Sequence, residues 1–192
     1  MKPRIELTPI KNKTFFKASA LDLAKKLLGL VIVRCCPGNT TYCQIVETEA
    51  YHEKDPASHS FRGRTRRNSS MFLEGGHLYV YKIYGVHHCV NIVANALGVG
   101  EAVLIRSVFD LEKNVLIKGP GRVCAELKLD LNYDGRSLLN GTDEIFLAKL
   151  RGYRQAEILS STRIGITKGL ELEYRFFLGA FAKHLPKPKQ AF

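Results

Sequence analysis

The chain has 192 residues, 45% of them hydrophobic and 24% charged, which is enough apolar material for one core and too little charge for wholesale disorder. Uninterrupted apolar stretches such as 30–33 fall far short of the roughly 20 residues of a bilayer span, so no membrane helix is expected. Lys and Arg number 29 against 18 Asp and Glu, a balance of +11 that suits a polyanion, nucleic acid first, or a generally basic protein.

Residues 1–14 read as a polar, Lys-rich lead-in without the apolar segment of a secretory signal. Over 18–28, Leu21, Ala24 and Leu28 recur at helical spacing and Gly29 supplies a stop, which predicts an amphipathic helix. A strand over 30–34, a turn at Pro37-Gly38-Asn39 and an alternating strand over 42–51 follow. Residues 52–76 form a long polar connection with Asp55-Pro56, Arg62, Arg64, Arg66 and Arg67, ending at Gly75-Gly76. A connection of that length in a compact chain is functional or disordered. Strands over 78–83 and 88–94 flank Tyr84-Gly85-Val86, a hairpin signal, and 102–109 is a further strand. Gly119-Pro120-Gly121-Arg122 opens a helix through Leu127; strands return over 144–148 and near 163–167, and 183–192 reads as a loose tail. With no regular strand–helix alternation, the expected fold is mixed α/β (α+β), one domain over 1–192 with a largely antiparallel sheet.

The five cysteines (35, 36, 43, 89 and 124) are odd in number and include no C-x-x-C, which fits reduced thiols inside a cell better than a disulfide framework or a zinc site. His87-His88-Cys89 and His59 are metal-ligating types, but no second cluster has suitable spacing, so neither metal nor cofactor is expected. Nucleophile-elbow and P-loop signatures are absent.

In an extended strand Glu47, Glu49 and Tyr51 share a face, together with Cys43 and Ile45. A carboxylate beside an aromatic on such a face suits a general base next to a platform for a flat ligand; equally, a strand end can leave Glu49 to solvent or an arginine. Tyr79 and Tyr81 share a face with Ile83, as strand packing alone would also require. Tyr84, just before Gly85 at the hairpin tip, is placed to wedge between bases. The arginines at 62, 64, 66 and 67 are either phosphate contacts or a solvated basic loop.

Taken together, Val46-Glu-Thr-Glu-Ala-Tyr51, Ala57-Ser-His59-Ser60, Arg67-Asn68 with Met71-Phe72, Leu78-Tyr-Val-Tyr81, Ile83-Tyr84-Gly85, Asn91-Ile92, Val103-Leu-Ile-Arg106 and Gly119-Pro-Gly-Arg-Val-Cys124 resemble the alkyladenine (3-methylpurine) DNA glycosylase family, in family order over roughly 15–170. The family commonly has a Pro-Trp-Arg-Phe-like segment after an Arg-Ile-Gly-Ile run. This chain has Arg163-Ile-Gly-Ile166 and then Glu173-Tyr-Arg-Phe176.

The resemblance implies a curved antiparallel sheet, no metal, and a monofunctional enzyme that flips a damaged purine out of duplex DNA and hydrolyses its glycosidic bond. It implies Glu49 as the general base and Arg106 near the catalytic water. Tyr51, supported by Leu104, would be one wall of the base pocket, and His59 and Tyr81 the other. Asn91 would disfavour guanine, and Tyr84 would fill the minor-groove gap. A monomer acting on damaged double-stranded DNA, away from membranes, is expected; in a bacterium it would sit in the cytoplasm or nucleoid. The competing expectation is a non-catalytic module for distorted duplex or RNA, which would have no need of a carboxylate facing a stacking pocket. An acyl- or formyl-transfer domain finds no cofactor motif.

Overall fold

The computed structural model describes residues 5–139, 144–154 and 156–188. Among the described residues, ten strands and two α-helices make one compact α+β unit, as expected. The strands are β1 (Leu7–Pro9), β2 (Val31–Cys36), β3 (Asn39–Tyr51), β4 (Leu78–Ile83), β5 (His87–Val93), β6 (Ala102–Asp110), β7 (Val115–Lys118), β8 (Ile145–Leu150), β9 (Ile158–Ser161) and β10 (Arg175–Leu178). The helices are α1 (Ala20–Leu27) and α2 (Pro120–Glu126). Pairing is antiparallel throughout, in the order β1-β8-β2-β3-β6-β5-β4, and the sheet curves into a half-barrel. β10 adds to β3 and β9, and β7 adds to β6.

α1 begins where Ser19 Oγ accepts the Asp22 N–H (3.2 Å) and Glu101 Oε2 accepts the Ala20 N–H (2.7 Å), so a capping hydroxyl and a carboxylate satisfy two of its free donors. It buries Leu23, Ala24 and Leu27 against β3. Gly29 stops it in the left-handed region at φ +85°, and a Cβ there would lie 2.3 Å from the Tyr153 ring, so no side chain fits. α2 packs on β5 and β6, and the main core lies between the helices and one sheet face, with Phe16, Ile45, Ile92, Ile105 and Leu127.

The other face carries a smaller cluster of Met71, Phe72, Tyr79, Val93 and Ala102, on which Tyr51 and Tyr81 pack. Here the structure corrects the expected alternation of β3. The register slips around Val46, opposite an extra residue at Arg106 in β6. Cys43, Ile45 and Val46 all enter the main core, as does Ala50, and Thr48 Oγ1 donates to the Ala24 carbonyl of α1. The bulge therefore reverses the strand's parity and sends Glu47, Glu49 and Tyr51 to the face opposite Cys43 and Ile45.

The β4–β5 hairpin closes as expected. The Val86 N–H reaches the Ile83 carbonyl (3.2 Å) around Tyr84 (φ 52°) and Gly85 (φ 70°). Two positive φ angles at the centre make this a primed turn, matched to the twist of a hairpin. Tyr84 holds a conformation that disfavours a side chain by roughly 1–2 kcal/mol, and it is 86% exposed.

Residues 163–167, expected as a strand, are a loop. Arg163 turns inward, Gly165 takes φ +78°, and the Ile164 N–H points at Glu49 rather than at a neighbouring strand. The strands of this region lie on either side, at β9 and β10. β1, inside the polar lead-in, and the short β7 carry too little alternation to be read from sequence. The expected tail lies partly outside the described residues; within them Leu185 is buried and the Pro186 carbonyl accepts from Arg175 (2.8 Å).

Candidate active site

Above the second cluster opens a cavity of about 520 Å³, in the range of small-molecule sites. Glu49, Tyr51, His59, Arg67, Tyr81, Tyr84, Asn91, Leu104 and Arg106 all line it, so residues 57 positions apart in sequence meet here. Arg62, Arg64 and Arg66 do not line it; they stand exposed on the turn that leads to Arg67. That turn is built around buried Asn68. Its Oδ1 accepts the Thr65 N–H (2.6 Å), and its Nδ2 donates to the carbonyls of His59 (2.8 Å) and Gly63 (3.1 Å).

Glu49 is completely buried. One carboxylate oxygen accepts the Ile164 N–H (2.8 Å) and has Arg106 Nη1 at 3.4 Å; the other accepts the Tyr51 hydroxyl (2.8 Å). Burial is the largest influence and lifts its pKa above the ordinary carboxylate range. Arg106, the Ile164 N–H and Tyr51 pull it back, and the neighbouring Glu47 pushes it up. The result is a carboxylate more basic than an exposed one yet solvated by protein donors when ionised, the property a general base needs.

The aromatic lining is tightly connected. Tyr79 and Tyr81 lie 5.4 Å apart, and His59 meets the edge of Tyr81 at 4.7 Å. His59 Nδ1 hydrogen-bonds the Tyr79 hydroxyl (2.8 Å), and Asn91 Nδ2 donates to the Tyr79 carbonyl (3.0 Å). Desolvation and then the Arg67 charge lower the His59 pKa, which favours a neutral imidazole. Burial raises Tyr51 and Tyr81, so both hydroxyls keep their protons. Leu104 lies opposite both Glu49 and Asn91 in register, beneath the cavity.

Three contributors escaped the sequence. Arg163 and Asp55 form a fully buried ion pair, with Nη2 to Oδ1 at 2.9 Å and a second contact through Nη1. The guanidinium lies over Tyr51 (4.7 Å) and Tyr174 (5.3 Å), behind the cavity wall, and Nη1 donates to the Ala50 carbonyl (3.1 Å). Arg175, buried, donates from Nε to Glu47 Oε1 (2.6 Å). Nothing in one sequence links Asp55 to Arg163 or Glu47 to Arg175; the signal available was, at most, the arginine that interrupts the apolar run 174–178. Among the described residues no group of His, Cys, Asp and Glu could hold a metal ion, and no helix is long and apolar enough to cross a membrane.

Comparison with known proteins extends the pattern to most of the chain. A protein of Carboxydothermus hydrogenoformans named "Putative 3-methyladenine DNA glycosylase" is 40% identical over 179 residues, covering 86% of this chain and 93% of that one. Proteins of the same name from a Synechococcus species (43% identical; 81% and 89% covered) and from Methanoculleus marisnigri (40%; 85% and 92%) match similarly. The profile of the family described as Methylpurine-DNA glycosylase (MPG) spans residues 14–180, which takes in every residue of the cavity and both late arginines: the chain belongs to the methylpurine-DNA glycosylase family.

Proposed function

We propose that this protein removes alkylated purines, 3-methyladenine among them, from duplex DNA by flipping the nucleotide into the cavity and hydrolysing its glycosidic bond. The observation that carries the reading is Glu49, a wholly buried carboxylate with two hydrogen-bond donors on it and the Arg106 guanidinium beside it, beneath aromatic side chains in a cavity open to solvent. The family and the names of the relatives support a DNA glycosylase acting on this base. A module that only recognised distorted duplex would gain nothing from burying such a group.

In this mechanism Glu49 accepts a proton from water as the water oxygen bonds to C1′. The C1′–N bond breaks, and its electron pair leaves with the purine. Alkylation puts positive charge on the ring, so departure neutralises the leaving group. Electron-poor rings are also held more strongly by Tyr51 and Tyr81. A neutral His59 avoids repelling that charge. The Glu49 carboxylate opposes the positive charge developing on the sugar. Lys82 lies on the alternate face of β4 from Tyr81 and does not line the cavity, whereas Lys168 does. With Glu49 activating water as the nucleophile, neither amine is assigned a covalent role and the product is an abasic site.

Duplexes carrying single defined lesions, incubated with the protein and then cleaved by alkali at abasic sites, test the reading; intact strands at every alkylpurine would end it. Tyr84 is assigned to the gap left by the flipped nucleotide. Unstacking costs a few kcal/mol, and a ring that fills the hole offsets part of it. Tyr84→Ala therefore lowers the flipped fraction, most for well-stacked lesions and least in mismatches or single strands, and leaves hydrolysis from the flipped state intact. Fluorescence of a lesion analogue reads the first quantity and single-turnover release the second. Normal flipping with lost release would place Tyr84 in the pocket chemistry instead. The arginines at 62, 64, 66 and 67 are assigned to phosphates, each adding about −0.9 to the slope of log K against log salt. Replacing Arg62 and Arg64 by Ala makes that slope shallower; an unchanged slope removes them from the DNA interface.

A further inference from the structure

Glu47 is as deeply buried as Glu49, lies two residues before it, and has no part in the reaction described above. Its Oε2 accepts the Ser107 hydroxyl, and its Oε1 serves two guanidinium groups. Arg175 Nε holds that oxygen at 2.6 Å and is itself fixed by Ser161 Oγ (2.9 Å) and the Pro186 carbonyl (2.8 Å). Arg106 Nε stands 3.4 Å from the same oxygen and makes no hydrogen bond, although it is buried. Arg106 Nη1 stands 3.4 Å from Glu49 Oε1 and 3.4 Å from the Ile164 carbonyl. All three contacts exceed the usual 2.7–3.2 Å of an N–H···O bond. The guanidinium that contacts the base is thus suspended between two carboxylates rather than seated on one. The paired bulges of β3 and β6 create this arrangement, because they leave Arg106 without a direct cross-strand partner.

We propose that Glu47 is a positioning residue for the glycosylase reaction: it competes with Glu49 for Arg106, and Arg175 sets the strength of that competition by neutralising Glu47. This rests on Glu49 being the general base. The groups facing Glu49 are Glu47 and Tyr51 of β3, Arg106 of β6, Tyr81 of β4, Cys89 of β5, and Arg163 and the Ile164 N–H of the loop after β9; Arg67, His59 and Lys168 line the same cavity. The pKa values of Tyr51, Tyr81 and Cys89 are raised, so these groups stay neutral through the acid range, and Arg163 is matched by Asp55. The share of Arg106 that Glu49 receives is therefore set by Glu47 and Arg175.

Two substitutions move that share in opposite directions. Glu47→Gln keeps an oxygen for Arg175 Nε but removes the competing charge. Arg106 moves to Glu49, the ionised base is favoured, and the acid limb of single-turnover base release shifts to lower pH. Arg175→Met leaves Glu47 uncompensated, draws Arg106 away, and shifts the limb to higher pH. At the foot of the limb the rate changes about tenfold for each pH unit moved. In the double variant no carboxylate is left at position 47 to be neutralised and none competes for Arg106, so the limb shifts to lower pH as in Glu47→Gln alone. Affinity for lesion duplex stays unchanged in each.

A purely structural pair would lower the melting temperature and the plateau but leave the midpoint in place. An unmoved midpoint in folded Glu47→Gln, or shifts of the same sign in both single variants, overturns the proposal. If Arg175→Met does not fold, the direction of the Glu47→Gln shift alone decides. Glu49→Gln, run in parallel, separates the two readings: if it keeps its rate, the general-base assignment fails, whereas an inactive Glu49→Gln with an unmoved Glu47→Gln limb removes only the role of Glu47.

Discussion

Glu49→Gln abolishes base release, by about 10²–10⁴-fold in single turnover, and leaves the Kd for lesion duplex close to wild type. The amide keeps the shape of the carboxylate: its oxygen can accept the Ile164 N–H while its NH2 donates to the Tyr51 oxygen, but it cannot take a proton from water. Release at a near wild-type rate from the folded variant would refute the mechanism. The same change also stabilises the protein at neutral pH. Burial holds the Glu49 pKa above its ordinary value, so an unfolded chain gives up that proton at lower pH than the folded one. Folding stability therefore falls as pH rises from the unfolded pKa through the folded one, and above it the ionised side chain is a standing cost. Gln carries no charge to bury. Its advantage in melting temperature grows from acid to neutral pH, as scans at a series of pH values would read; an advantage that shrinks over that range would contradict the burial argument. Activity and stability oppose each other at this one position.

Asp55→Ala destabilises by about 3–5 kcal/mol, because it leaves the Arg163 guanidinium buried without its counter-charge. For a chain of this size that lowers Tm by about 10 °C. Asp55 also accepts the Ala57 N–H (3.0 Å) at the turn that leads to His59, so the loss reaches that side of the cavity too. Asp55→Asn costs less, since an amide oxygen can still accept from Arg163. A Tm within 2 °C of wild type (about 1 kcal/mol or less) in Asp55→Ala would show that water reaches Arg163 and that the pair is not a strut. Base release suffers as well, because Arg163 lies directly behind Tyr51 and immediately before the N–H that Glu49 accepts.

What could be read in the sequence was whatever rests on local pattern. The Leu21–Ala24–Leu28 spacing located α1, and Tyr84-Gly85 located the hairpin tip, because helix periodicity and primed-turn chemistry are properties of neighbouring residues. Glu49 and Tyr51 share a face as expected, but for a different reason from the one that grouped them with Cys43 and Ile45. A bulge is one residue's slip against a partner strand some 60 positions away, and no run of side chains announces it. The loop at 163–167 was misread as a strand because Ile164 and Ile166 alternate like strand residues. The Ile164 N–H is committed instead to Glu49, and the arginine before it to an aspartate 108 residues earlier. The gathering of the lining residues into one cavity came from family resemblance, and it could not show the two buried ion pairs that brace the cavity from behind.

Those ion pairs also impose an order on synthesis. The acids of the centre, Glu47, Glu49 and Asp55, all lie in the first third of the chain, whereas Arg163, the Ile164 N–H and Arg175 arrive in its last fifth. A chain emerges from the ribosome N-terminus first. A nascent product that has already exposed its hairpin and aromatic side chains therefore holds a cluster of carboxylates awaiting their cations, and desolvating them unpaired is strongly unfavourable. The proposed catalytic centre therefore has its full set of partners only once the last fifth of the chain has been made.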